Sequence, residues 1–158
     1  MFPVTIRIEA PRRLVGLTHR GAYQEINRTY ALLGAELAAQ GLWPRAKGMA
    51  AVYLDDPRLV DEAALRSFAG MVVDGALTGA PPLECCEVAG GRHAVMEFRG
   101  PYTGLAAAYD WFFGTWLAES GQALREAPGF EIYVNTPMDV APTDLRTDLY
   151  LPLEDANA

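Results

Sequence analysis

The sequence predicts an α+β fold: a mostly antiparallel eight-stranded sheet with two long helices, made by tandem duplication of a strand-strand-helix-strand-strand unit. Three observations predict it. The chain has 158 residues, 51% apolar and 21% charged, which suits a single domain (1–158) that buries a core without staples. Its halves, 1–79 and 80–158, also repeat each other. His19-Arg20-Gly21-Ala22-Tyr23 aligns with Phe98-Arg99-Gly100-Pro101-Tyr102 at a shift of 79, which also pairs Arg13 with Arg92 and Tyr30 with Tyr109. Past the first helix the shift becomes 80 and pairs Tyr53 with Tyr133, Pro57 with Pro137, Leu65 with Leu145 and Arg66 with Arg146, so one residue was inserted between periodic segments. Finally, runs of strand-like segments alternate with single helices across tight turns, the pattern of a sheet carrying helices on one face.

Each copy opens with two strands, Val4 to Glu9 and Leu14 to Thr18, then Glu84 to Val88 and His93 to Phe98. Pro11 and Gly90-Gly91 separate the members of each pair, the usual signal of a hairpin. An Arg-Gly-x-Tyr segment leads into a helix, where Ile26, Tyr30, Leu33 and Leu37, or Leu105, Tyr109, Phe112 and Trp116, recur at helical spacing. Such stripes are read as core. A short apolar strand follows, Ala50 to Leu54 or Phe130 to Val134, stopped by Asp55-Asp56-Pro57 or Asn135-Thr136-Pro137. The last strands lie around Gly70 to Val73 and Thr147 to Leu151, and the polar tail 154–158 is expected to be loose.

Composition removes several functions. Thirteen basic against 20 acidic residues leave a net charge of −7, the wrong sign for a protein that coats nucleic acid, so direct nucleic-acid binding is not expected. The two cysteines are adjacent, Cys85 and Cys86, which suits neither a disulfide framework nor a metal site and fits a reducing compartment. No secretory signal opens the sequence, and its most apolar stretch, Gly104 to Ala118, is interrupted by Asp110. A cytoplasmic protein without membrane contact, metal or cofactor is expected. His19 and His93 fall opposite Phe98 and Leu14 in the repeat, and Ser67 and Ser120 lack a nucleophile motif, so none is read as catalytic. Asp55-Asp56 suits a side-chain-capped turn better than a metal pair.

Residues that break the repeat carry more information. Glu131 corresponds to Ala51 and lies mid-strand, where alternation puts Phe130, Ile132 and Val134 on one face and Glu131 and Tyr133 on the other. On an exposed face Glu131 is an ordinary solvated residue. In a cleft between the copies it is a carboxylate beside Tyr133, with Tyr53 at the matching place, and such a site prefers flat cations. Trp111 lies off the helix stripe and is a further candidate wall.

Several segments together resemble the GyrI-like small-molecule-binding domain, also the effector-binding domain of AraC-type and MerR-type multidrug regulators. They are Leu-Val-Gly-Leu-Thr-His-Arg-Gly-Ala-Tyr (14–23), Val-Tyr-Leu-Asp-Asp-Pro (52–57), Ala-Val-Met-Glu-Phe-Arg-Gly-Pro-Tyr (94–102), Phe-Glu-Ile-Tyr-Val-Asn-Thr-Pro (130–137) and Thr-Asp-Leu-Tyr-Leu-Pro-Leu (147–153). The resemblance implies a ligand groove between the halves, with Glu131 meeting the charge of lipophilic cations and Tyr133 next to it. Tyr53, Tyr102 and Trp111 are the expected aromatic walls. Regulators of the family carry a helix-turn-helix segment ahead of this domain, whereas this sequence starts at its first strand, so a stand-alone binding protein for hydrophobic, cationic aromatic compounds is the favoured function. Two alternatives follow from relatives: a hydrolase of cyclopropane-containing genotoxic compounds using Glu131 and Tyr133, and a DNA gyrase inhibitor acting through protein-protein contact.

Overall fold

The computed structural model describes residues 2–155. Its elements are β1 (Val4–Glu9), β2 (Arg12–Arg20), α1 (Ile26–Ala39), β3 (Met49–Tyr53), β4 (Arg66–Val73), β5 (Glu84–Val88) and β6 (Gly91–Arg99), then α2 (Leu105–Trp111), α3 (Ala118–Ser120), β7 (Gly129–Tyr133) and β8 (Arg146–Pro152). Between α2 and α3 the helix continues through a π-helical stretch, Phe112–Leu117. All eight strands form one sheet in the order β1-β6-β8-β7-β3-β4-β2-β5, and every pairing is antiparallel. The predicted fold class is therefore the observed one.

The hairpins are not. β1 pairs with β6 and β5 pairs with β2, so each opening strand joins the sheet across from its sequence neighbour. Two connections make this exchange at the same place. A Cβ on Gly90 would stand 2.6 Å from the Glu9 carbonyl oxygen and 2.8 Å from the Pro11 nitrogen, so the chains cross with their backbones in contact and only glycine fits. Turn residues reported a change of direction here; what they could not report was which edge the strand would reach.

That crossing also shapes the sheet. β1 and β2 lie near opposite ends of the strand order but are joined by two residues, Ala10 and Pro11, so the sheet must curl until its ends meet. The curl buries the face that no helix covers: Leu14, Val52, Phe68, Val95, Phe130 and Tyr150 shield one another there. The Arg12 guanidinium caps this side, 5.4 Å from the Phe130 ring centre and 5.0 Å from that of Tyr150. On the other face the helix stripes do what their spacing predicts. Leu33 and Leu37 of α1 pack on Val15, Ala69 and Met71, while Ala108 and Phe112 pack on Met96, Leu149 and Leu151.

Local polar chemistry fixes the ends of these elements. Asp55 grips Arg66 through both carboxylate oxygens at 3.0 Å, and Asp56 accepts the Arg58 backbone N–H at 2.8 Å, so this pair caps its turn as expected. His19 is buried, with Nδ1 against the Thr29 hydroxyl and Nε2 against the Ala22 carbonyl, and ties the end of β2 to α1. In the tail, Glu154 is anchored by its N–H to the Ala123 carbonyl; residues 156–158 lie outside the described ones.

Candidate functional site

Glu131 stands at the middle of β7, where it faces Ala51 of β3 on one side and Leu149 of β8 on the other. Because Leu149 belongs to the cluster under α2, Glu131 points to the helix-covered side of the sheet, into the seam between the two helices. It is 1% exposed. A bare carboxylate there would forfeit its hydration, and the fold answers with hydroxyl donors. Tyr109, from α2, donates to Oε1 at 2.8 Å, and Tyr133, two residues along the strand, donates to Oε2 at 2.7 Å. Tyr53 stands beside them, its ring edge-on to that of Tyr109 at 6.5 Å. Ala51 opposite, with only a methyl group, leaves the carboxylate room.

Further aromatic rings surround these three. Tyr23 packs on Tyr53 at 4.9 Å, Tyr30 and Tyr102 meet Tyr133 edge-on at 6.0 and 5.7 Å, and Phe113 stacks on Tyr109 at 6.3 Å. Six of the seven tyrosines in the sequence thus gather around one carboxylate. Glu131 itself is sealed, but the rings above it are partly exposed, and Tyr102 and Phe113 are 38% and 41% exposed. The π-helical stretch begins at Phe112, directly after the residues that bring Tyr109 over the seam.

Electrostatics follow from this enclosure. Burial pushes the Glu131 carboxyl up from its ordinary range, and the hydrogen bonds from Tyr133 and Tyr109 pull it only part of the way back. Burial and then the Glu131 charge raise Tyr53, Tyr109 and Tyr133 well above the usual phenol range, so these hydroxyls stay protonated donors at any working pH. Such a group can exchange its hydroxyl donors for a positive charge that arrives already wrapped in aromatic surface.

Of the residues singled out from the sequence, Glu131, Tyr133, Tyr53 and Tyr102 are brought together. Trp111 is not: its ring meets Phe2 edge-on at 5.4 Å in the cluster beneath α2. Tyr109 falls on the helix stripe that spacing assigns to the core, yet it supplies one of the two hydrogen bonds to the carboxylate. Its signal was present, since a tyrosine in a helix stripe that repeats as Tyr30 needs a partner for its hydroxyl.

The GyrI-like small molecule binding domain model matches residues 2–154. Over 67 residues the chain is 34% identical to the probable transcriptional regulator YgiV of Escherichia coli (strain K12), a match covering 42% of each chain. Among solved structures, the EcmrR C-terminal domain is similar with a TM-score of 0.73 and 14% identity, over 99% of both chains. Against EcmrR in its DNA complex the TM-score is 0.75 at 14% identity, and the match spans 98% of this chain but only 58% of that one. SAV2435, solved bound to tetraphenylphosphonium, is similar with a TM-score of 0.71 and 14% identity, over 96% of this chain and 94% of that one. Among the described residues no helix is long and apolar enough to cross a membrane.

Proposed function

This chain belongs to the GyrI-like small-molecule-binding domain family, and we propose that its ligands are hydrophobic aromatic cations held at Glu131 among the tyrosines of the inter-helix seam. One observation carries the reading: a carboxylate that is 1% exposed and held by nothing stronger than neutral hydroxyls. A buried structural carboxylate is ordinarily matched by a cation, as Asp148, itself 6% exposed, is by Arg146 here. Among the described residues Glu131 makes no ion pair, and the missing positive charge is what the ligand supplies. The tyrosine faces add attraction of about 0.5–2 kcal/mol per ring to a desolvated cation. That SAV2435 was captured with a phosphonium cation agrees with this preference. The protein acts as a binding module that captures such compounds, to sequester them or present them to a partner.

Calorimetric titration of the purified protein with tetraphenylphosphonium, against a neutral polyaromatic of similar size, tests the reading. Saturable 1:1 binding of the cation, at least tenfold tighter than the neutral compound, is expected. Equal affinity for both, or no binding of the cation, contradicts it.

A further inference from the structure

Four buried side-chain polar atoms among the described residues have no hydrogen-bond partner: two nitrogens of Arg125, the Ser67 hydroxyl and the Thr147 hydroxyl. The two hydroxyls correspond to each other under the repeat shift of 80 and are both 0% exposed. Ser67 lies between Tyr53 of β3 and His19 of β2, and Thr147 lies between Tyr133 of β7 and Phe98 of β6. Both sit on the helix-covered side of the sheet, each beside a cross-strand tyrosine that packs on a second one: Tyr53 with Tyr23 next to Ser67, Tyr133 with Tyr102 next to Thr147. The Glu131 carboxylate stands in the seam between them.

A buried hydroxyl without a partner costs free energy that alanine or valine would not, so its place in the floor of a binding site calls for a reason. We infer that Thr147 and Ser67 are polar anchors of the ligand site, which thereby selects aromatic cations carrying a neutral hydrogen-bonding oxygen set off from the charge. The inference rests on the cation-site reading of Glu131. Strand geometry fixes the spacing. Thr147 is one strand and two residues from Glu131, about 8 Å, and Ser67 is two strands and two residues away, about 12 Å. A hydroxyl can donate to an ether or carbonyl oxygen, or accept from a phenol, whereas an anionic substituent would meet the Glu131 charge. Tyr102, the most exposed of the tyrosines, packs edge-on against Tyr133, the cross-strand neighbour of Thr147, and in this proposal its ring turns aside to admit the substituent.

Tetraphenylphosphonium and its para-methoxy-substituted analogue share charge and shape and differ in acceptor oxygens, which makes them the probes. The wild type is expected to bind the methoxy compound at least tenfold tighter. Thr147→Val, and independently Ser67→Ala, should shrink that advantage to below threefold, read as the ratio of the two affinities within each variant. Both variants should also melt no lower than the wild type, because each removes an unpaired polar group. No preference in the wild type, a preference that survives both substitutions, or a clear loss of stability in both variants would overturn the inference while the cation site stands. Failure of the wild type to bind either phosphonium would defeat the cation-site reading, and this inference with it.

Discussion

Replacing Glu131 by glutamine changes one charge with almost no change of shape. The amide oxygen can still accept from one tyrosine, and the other hydroxyl can turn to accept from the amide nitrogen, so the core around Tyr109 and Tyr133 stays packed. A lipophilic cation seated on the rings would bring its centre to about 5 Å from the carboxylate, where the attraction at an effective dielectric of about 20 is about 3 kcal/mol. Part of that is returned, because burial favours the neutral carboxyl in the free protein and the ligand must first displace its proton. A net loss of about 2–3 kcal/mol remains, which weakens tetraphenylphosphonium about 30- to 150-fold. Neutral aromatics should bind Glu131→Gln as well as the wild type, or better. The assay is titration calorimetry of both proteins with both ligands at pH 8, with melting curves to confirm folding. Cation affinities that agree within threefold between the two proteins would refute the electrostatic reasoning.

Linkage supplies a second prediction. The Glu131 carboxyl is raised in the folded state, so above its ordinary value of about 4.5 the native protein binds more protons than the unfolded chain, and stability falls as pH rises toward the raised value. The melting temperature of Glu131→Gln should therefore gain on the wild type between pH 4 and pH 8; a difference that is constant across that range would count against the buried acid. Tyr133→Phe removes the donor at 2.7 Å and pushes the carboxyl further up, so phosphonium binding should weaken more at pH 6 than at pH 8, which titration at both values checks. Trp111→Ala removes a partly buried ring packed on Phe2 and should cost up to about 3 kcal/mol in denaturant unfolding, with phosphonium affinity unchanged within twofold. Gly90→Ala drives a methyl group into the crossing with Glu9 and Pro11, and chemical denaturation should record a loss of at least about 2 kcal/mol.

Most of the fold was legible because the chain states it twice. Apolar alternation, Pro57 and Pro137 at corresponding strand ends, and two matching helix stripes place every element within a few residues of its observed bounds. The exchange of β1 and β5 was not legible, since Pro11 and Gly90 mark turns equally well whether the chain folds back on itself or crosses to the far edge. Glu131 announced itself by breaking the repeat against Ala51; Tyr133 followed by alternation and Tyr53 by its matching place in the first copy. Tyr109 did not, because periodicity reports where a ring lies and says nothing of where its hydroxyl points. Trp111 misled for the converse reason: its position off the stripe left a partner open, and that partner, Phe2, comes from a segment ahead of β1 with no periodic relation to the helix. The unpartnered hydroxyls of Ser67 and Thr147 were not legible, because a serine or threonine on a buried strand face ordinarily finds a hydrogen-bond partner.

A crystal structure of the protein soaked with tetraphenylphosphonium would show whether Glu131 takes the ligand's charge among the tyrosines. Phosphorus is expected within about 6 Å of the Glu131 carboxylate, with phenyl groups against Tyr53, Tyr102, Tyr109 and Tyr133 and at least one tyrosine hydroxyl turned away from the acid. A cation lodged elsewhere, with the Tyr109 and Tyr133 bonds to Glu131 intact, would contradict a cation site at Glu131.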